Sequence, residues 1–349
     1  MPKKFAAALL MLPLWAVPAL AEEESASQEE HGSQPVSASR SDATGPVFSA
    51  QFENDMFFGN SDRHYTHGSR LSYLTGEDDV PDQVLEWVHY LPMYETQPHA
   101  RFSLSLGQSI FTPDDISKTV PDPTDRPYAG WLYGGFGLVT YGDDGERRDS
   151  LELALGVVGP WSQAEEVQTT WHDWFNFREP KGWEYQIKNE PGVMLSWDTQ
   201  DRWIYEQLPL GLEWDVTPNW GVTLGNVMTY ANAGGMVRLG TALDNDFGPP
   251  RIRPSLPGSG FFISRDVFTW YVFAGIEGRA IGRNIFLDGN TFRDSPSVDR
   301  RNFVGDLQAG FSMGWNDVRI GYTQIWRSRE YRGQDSPDLF GAVSLSLRF

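Results

Sequence analysis

Strict alternation of apolar and polar residues runs through most of this 349-residue sequence. In RFSLSLGQSI (101–110), Phe102, Leu104, Leu106 and Ile110 alternate with Arg, Ser and Gly. The segments VRIGYTQIWR (318–327) and AVSLSLRF (342–349) repeat the pattern. Because successive side chains of a strand point to opposite faces, the pattern predicts a sheet with one apolar and one polar face.

Two architectures fit such strands: a soluble sandwich with its apolar face inward, or a membrane barrel with its apolar face outward. Four features favour the barrel: an export signal without any cysteine, a 14% aromatic content, polar faces rich in Gly and Ser, and a C-terminal Phe349 that closes an alternating strand. We therefore expect an all-β fold, a transmembrane antiparallel β-barrel of about twelve strands. Its candidate strands run from FSAQFEND (48–55) to FGAVSLSLRF (340–349) and form one domain over residues 46–349.

The N-terminus predicts export. Residues 1–21 contain two lysines, an apolar run and Ala-Leu-Ala before an acidic stretch, which is the layout of a cleaved signal peptide. A membrane anchor fits less well, because the run is short and two prolines interrupt it. Residues 22–45 have no aromatic or large aliphatic residue except Val36, and we interpret them as a flexible acidic tail.

Charge and composition exclude several classes of protein. A formal net charge of −19 argues against a nucleic-acid partner, which requires basic patches. Without cysteine, the chain has neither disulfides nor thiolate metal sites. Beyond the signal peptide no apolar run is long enough for a membrane helix, and the mean hydropathy is −0.42.

One segment, SQAEEVQTTWHDWFNF (162–177), has helical instead of strand periodicity. Ser162 and Glu165 have the spacing of a capping box, directly after the breaker pair Gly159 and Pro160. The apolar stripe, which must lie on the barrel rim or on lipid, consists of Ala164, Val167, Trp171, Trp174 and Phe175.

His172 lies on the edge of this stripe, four residues after Gln168. A histidine where an apolar surface gives way to polar groups suits a base that acts on a lipid ester. The alternative is that His172 only ends an interfacial helix.

Two further motifs have structural interpretations. In HYTH, His64 and His67 are three residues apart on a strand, so their rings should point to opposite faces and not share a metal. In DRPYAGW (125–131), Gly130 should allow close packing, and Tyr128 and Trp131 should anchor the barrel at the membrane interface.

Five motifs together resemble the lipid A 3′-O-deacylase family of Gram-negative outer membranes. They are ENDMFFGNSDRHYTHG, DRPYAGWLY, GVVGPWSQAEEVQTTWH, PKGWEYQIKNEPG and GNVMTYANAGG, in the order of the family, from about Phe48 to the C-terminus. The resemblance implies a twelve-stranded outer-membrane barrel that uses Ca²⁺ to remove the 3′-linked acyloxyacyl chain of lipid A. It also implies an active site between the barrel wall and an extracellular helix, facing the outer leaflet.

The resemblance assigns site residues one by one. The Asn-Asp pair of the family corresponds to Asn54 and Asp55, and the threonine of Tyr-Thr-x-Gly corresponds to Thr66. The histidine and glutamine of the helix correspond to His172 and Gln168. Lys118, in TPDDISKT, corresponds to the family's lysine. Some members have Asn-Asp-Asp where this chain has Met56, so one oxygen ligand is lost here.

These assignments imply roles. His172 would be the base, and Asp55 and Asn54 would be metal or oxyanion ligands. Thr66 and Lys118 would support catalysis, and Gln168 and Lys118 would contact substrate.

Asn54 and Asp55 alternate on a regular strand, so a shared site requires the strand to bend or end there. The alternative is that END (53–55) is simply a turn that closes the strand.

Three functions remain open. The first is a lipid A deacylase with lipopolysaccharide and the outer-membrane bilayer as partners, acting as a monomer. The second is an outer-membrane hydrolase of phospholipids, which needs the same groups. The third is a non-enzymatic channel or adhesin barrel.

Overall fold

The structure is a computed structural model that describes residues 45–55, 64–88, 90, 98–142, 145–254 and 260–349. The predicted signal peptide (1–21), residues 22–44 of the predicted tail and Met56 lie outside these residues.

Thirteen strands account for most of the described chain. They are β1 (Val47–Asn54), β2 (His64–Leu74), β3 (His99–Thr112), β4 (Ala129–Tyr141), β5 (Arg147–Val158), β6 (Glu190–Asp201), β7 (Ile204–Gln207), β8 (Glu213–Gly225), β9 (Met228–Gly240), β10 (Arg265–Asn284), β11 (Phe303–Asn316), β12 (Val318–Arg327) and β13 (Asp338–Arg348). The α-helices are α1 (Asp82–Val88), α2 (Ala164–Phe175) and α3 (Ile285–Asp288). No helix in the described ranges has the length and apolarity needed to cross a bilayer.

Twelve of these strands form a closed ring. Consecutive strands pair antiparallel from β1 to β6, β6 then pairs with β8, and pairing continues from β8 to β13. The pair β1–β13 closes the barrel, with Val47 opposite Arg348 and Asn54 opposite Gly341. The predicted twelve-stranded barrel is therefore confirmed. The short β7 pairs only with β8 and lies outside the ring.

The two faces of the strands differ as the alternation predicts. On β1, Ser49, Gln51 and Glu53 are buried inside the barrel, while Phe48 and Phe52 are partly exposed on the outer face. Other strands expose large apolar side chains on the outside, among them Leu104, Phe136, Leu155, Val193, Leu224, Ile276, Leu307 and Ile320. A polar interior with an apolar outer belt is the arrangement of a membrane barrel, and it excludes the sandwich.

The segment between β9 and β10 fills much of the interior. Residues 245–252 are all buried, and Arg251 reaches Glu53 with a nitrogen–oxygen distance of 2.7 Å and Gln308 at 3.0 Å. Arg279 and Arg327 both pair with Asp306 and donate to the carbonyl oxygen of Pro254. We call the described residues of this segment, 241–254 and 260–264, the plug.

The barrel has two distinct ends. The start of β1 at Val47, the end of β13 and α1 lie at one end, and α2 lies at the other, between β5 and β6. We call the latter the helix end. At this end β1 ends at Asn54 and β2 begins at His64. The connections from β3 to β4 and from β12 to β13 lie at the same end.

Candidate active site

The candidate site begins where β1 ends. Asn54 is the last residue of β1 and Asp55 belongs to the turn that follows, so Asp55 is released from the alternation of the strand. Both residues are buried, with 6% and 3% of their surface exposed. The predicted strand end is thus confirmed, and it removes the obstacle to Asn54 and Asp55 facing one site. The alternative, a simple turn at residues 53–55 that closes the strand, would lie at the same place.

A bulge in β2 places Thr66. Tyr65 pairs with Phe111 and His67 with Ile110, so Thr66 is an extra residue opposite β3. Thr66 is buried, and its hydroxyl lies 2.7 Å from the hydroxyl of Thr112. A β-bulge re-aims side chains, and here it interrupts the alternation of β2 at the helix end.

Helix α2 lies against the outer wall at this end. Ala164 and Val167 belong to a buried apolar cluster whose other members are Ile110, Ile116, Tyr128 and Trp183. The Trp171 ring contacts the rings of Phe52 and His67, at centroid distances of 5.8 and 6.4 Å. The helix therefore spans from β3 and β4 to the outer faces of β1 and β2.

Two contacts fix the start of the helix segment on the wall. A Cβ on Gly130 would lie 2.0 Å from Ser162 Oγ and 2.4 Å from Ala164 Cβ, so only glycine allows this approach. Gln108 Nε2 donates to the carbonyl oxygen of Ser162 at 2.7 Å. The expected close packing at Gly130 is confirmed.

The helix differs from its prediction in two respects. The capping box is wrong: α2 begins at Ala164 after Gln163, and Ser162 Oγ donates to the Gly159 carbonyl oxygen instead. The predicted apolar stripe also divides. Ala164 and Val167 are buried on the wall, whereas Trp174 and Phe175 are 60% and 52% exposed. The barrel wall therefore covers only part of the predicted stripe.

Gln168 and His172 share the buried face of α2, with 3% and 4% exposed. The Trp183 indole donates to Gln168 Oε1 at 2.9 Å. His172 Nδ1 makes a short hydrogen bond with the Arg178 carbonyl oxygen. A carbonyl can only accept, so Nδ1 carries the proton, and in a neutral ring Nε2 is then the acceptor.

Lys118 occupies a different position from the other predicted residues. Its side chain is exposed in the connection between β3 and β4. Its carbonyl oxygen lies 3.2 Å from the position that a Cβ on Gly182 would take, beside the turn that carries Trp183. Lys118 is thus a neighbour of the buried groups, at their solvent side.

The remaining motifs give one confirmation and one correction. His64 Nδ1 lies 2.5 Å from Asp338 Oδ1 within the helix-end mouth, while His67 packs against Phe52 and Trp171 outside. The two histidines do face opposite sides. The prediction that Tyr128 and Trp131 anchor the barrel at the membrane interface is wrong. Tyr128 is buried under α2, and Trp131 is buried in the barrel core.

Sequence reasoning did not single out Trp183, Thr112 or the Arg178 carbonyl. The tryptophan lies within the motif PKGWEYQIKNEPG, and its indole N–H, a hydrogen-bond donor, is the feature that could have indicated it. A backbone carbonyl carries no signature in the residue types.

The donor groups at the end of β1 suit a calcium ion. Asp55 offers a carboxylate and Asn54 an amide oxygen, both buried, and Ca²⁺ prefers oxygen ligands of these kinds. Two side chains supply fewer than the usual six to eight ligands, so substrate and water would complete the shell. In the part of the chain described, the group of three His or acidic side chains with converging ligand atoms is Glu77, Asp78 and His99, at the other end.

Buried polar side chains on the outer wall of a barrel with an apolar outer belt, covered by a helix, define a membrane-barrel protein with a candidate site between the wall and the helix. The profile of the family described as outer membrane protein LpxR matches residues 6–349. The chain therefore belongs to the LpxR family, the lipid A 3′-O-deacylase family that its motifs resemble.

A solved structure supports this fold. LpxR from Salmonella typhimurium aligns with a TM-score of 0.69 and 21% identity over 87% of this chain and 100% of that chain. The β domain of the Bordetella autotransporter Brka gives a TM-score of 0.44 and 10% identity, over 88% and 100% of the two chains. The translocator domain of NalP from Neisseria meningitidis gives 0.36 and 12%, over 88% and 89%. A search of curated proteins found no significant match.

Proposed function

We propose that this protein is a calcium-dependent lipid A 3′-O-deacylase of the bacterial outer membrane, with His172 as the base. The observation that carries the proposal is the hydrogen bond from His172 Nδ1 to the Arg178 carbonyl oxygen. In a neutral ring it leaves Nε2 as the proton acceptor, and His172 lies on the buried face of α2 with 4% of its surface exposed. Family membership supports the choice of substrate.

The reaction would be hydrolysis of an ester. His172 Nε2 takes a proton from water while the water oxygen attacks the ester carbonyl carbon. When the tetrahedral intermediate collapses, the carbon–oxygen bond to the sugar breaks, and the sugar oxygen receives the proton from His172. The fatty acid then leaves as the second product.

Charge on the carbonyl oxygen must be stabilised during attack. Asp55 and Asn54 would hold Ca²⁺, which polarises an ester carbonyl when bound. The Thr66 hydroxyl, held by Thr112, supports this side of the site. Gln168 contacts the substrate from the helix, and the exposed Lys118 contacts a lipid A phosphate as a point charge.

Access from the membrane follows from the location of the site. Trp174 and Phe175 expose their rings beside His172, on the same side of the barrel as the apolar belt. A lipid can therefore approach without leaving the bilayer, and we place the helix end in the outer leaflet.

Of the two other functions, the channel finds less support, because the plug occupies the interior and forms arginine–carboxylate pairs with the barrel strands. Hydrolysis of phospholipids would use the same groups, so only the substrate distinguishes it from lipid A deacylation.

The test uses the chain without residues 1–21, refolded in detergent, with purified lipid A, and follows product mass with calcium or with chelator. We expect loss of one acyloxyacyl unit only with calcium, abolished in His172→Ala and retained in His99→Ala, a histidine at the opposite end. Loss of acyl chains from phospholipid with lipid A untouched would favour the phospholipase. Unchanged lipid with a folded barrel would refute hydrolysis.

A further inference from the structure

Helix α2 ends at a residue that is left-handed but is not glycine. Its C-cap is Asn176, with φ 54° and ψ 42°, in the left-handed region that residues other than glycine rarely adopt. The backbone N–H groups of Asn176 and Phe177 both donate to the His172 carbonyl oxygen. The chain reverses at Asn176 and returns along the last turn of the helix.

This reversal determines the surroundings of the His172 ring. Two residues after the cap, the Arg178 carbonyl oxygen meets His172 Nδ1. The Phe177 ring meets the imidazole edge-on at 5.8 Å and stacks on Phe175. The backbone and the ring of His172 are thus both held by residues 176–178.

From this geometry we infer that Asn176 is a positioning residue, whose left-handed conformation sets the tautomer of His172. The inference rests on the proposed function for its catalytic consequence, and on the hydrogen bond alone for the tautomer. Asparagine tolerates this conformation because its short polar side chain can hydrogen-bond to the local backbone. A β-branched residue does not, so it would move the Arg178 carbonyl away from Nδ1.

The chain offers a matched pair of variants and an internal control. Asn176→Gly keeps access to the left-handed region, and Asn176→Ile removes it. Gln163, at the other end of α2, is also left-handed, with φ 59°. Gln163→Ile places the same strain on the helix without touching the turn at His172.

The first measurement does not depend on activity. Long-range ¹H–¹⁵N correlation spectra of ¹⁵N-histidine-labelled protein in detergent report the tautomer of each ring, and His172→Ala assigns the signal. We expect the Nδ1–H tautomer in the native chain, in Asn176→Gly and in Gln163→Ile. Asn176→Ile should give a mixture of both tautomers.

The second measurement is steady-state lipid A hydrolysis with calcium. Asn176→Ile should lower kcat about tenfold, from the cost of the left-handed conformation, with KM unchanged. Asn176→Gly should restore kcat. A native tautomer and native kcat in folded Asn176→Ile would overturn the inference. Full activity of His172→Ala would instead refute the proposed base, and the tautomer spectra would still decide the role of Asn176.

Discussion

The indole of Trp183 determines which end of the Gln168 amide faces it. An indole N–H can only donate, so it must meet the amide oxygen, and the amide nitrogen takes the other position. Trp183 is 2% exposed and packs on Tyr128 at a ring distance of 4.7 Å. A buried aromatic ring therefore fixes the orientation of a side chain on the buried face of α2, which also carries His172.

Trp183→Phe should reduce lipid A hydrolysis about tenfold. It leaves Gln168 Oε1 buried without this donor, which costs about 1–3 kcal/mol and frees the amide to rotate. The measurement is the initial rate on lipid A, with Tyr185→Phe, an exposed residue of the same turn, as control. An undiminished rate in Trp183→Phe would show that Gln168 does not need this orientation.

At the scale of residues, the sequence predicts the positions of side chains better than it predicts their hydrogen-bond partners. The i, i+4 spacing correctly predicted that Gln168 and His172 share one face of a helix. The partner of His172 is a backbone carbonyl, which every residue possesses, so no pattern could reveal it. Asn176 was equally inconspicuous, because a left-handed cap is visible only in the dihedral angles.

At the scale of the elements, α2 packs closely on the barrel wall at Gly130. Gly130→Ala should displace the helix, because its Cβ would overlap both Ser162 and Ala164. We expect most lipid A hydrolysis to be lost while the barrel still folds. Gly134→Ala, on the same strand, is the control, since its Cβ would meet only the Ser105 carbonyl oxygen at 3.9 Å.

Heat-modifiable migration on gels would report folding of both variants, and the rate on lipid A would report the site. Equal activity of Gly130→Ala and Gly134→Ala would mean that the wall and helix adjust to a methyl group.

The connection between β12 and β13 should respond to acid. Burial alone would raise the pKa of Glu330, but Arg126 and Arg327 hold it below its usual 4.5. Arg279 and Asp306 also face this group. A carboxyl with a depressed pKa stabilises the fold above its ordinary pKa and loses this contribution as the pH falls through the folded value.

Hydrogen exchange of residues 328–337 should therefore accelerate as the pH is lowered below 4.5, after correction for intrinsic rates. In Glu330→Gln this pH step should be absent. A step that persists in the variant would assign the response to another acid, such as Asp306.

The alternation predicted these elements because each strand carries its own signal, whereas the bulge at Thr66 and the split surface of α2 depend on neighbours. Thr66 becomes an extra residue only through its pairing with β3. Trp174 and Phe175 have the helical spacing of a buried stripe, yet the wall is not wide enough to cover them.

For the whole molecule, period two was sufficient to predict a twelve-stranded barrel and insufficient to predict what fills it. The plug sequence, LDNDFGPPRIRP at 243–254, has no regular period, and the partners Arg251 and Glu53 are far apart in the chain. Long-range ion pairs of this kind are determined by closure of the barrel. The interior is therefore known only from the structure.

The filled interior should close the native barrel to ions. Reconstituted in planar bilayers, it should give no steady conductance, because the plug starts at the end where β1 begins, reaches Glu53 and pairs with arginines and acids of several strands. Replacing residues 247–263 with a short Gly-Ser linker should open a steady pore. Lipid A hydrolysis should change less than conductance, since the proposed site lies on the outer wall. A steady conductance of the native barrel, unchanged by the replacement, would instead favour a channel.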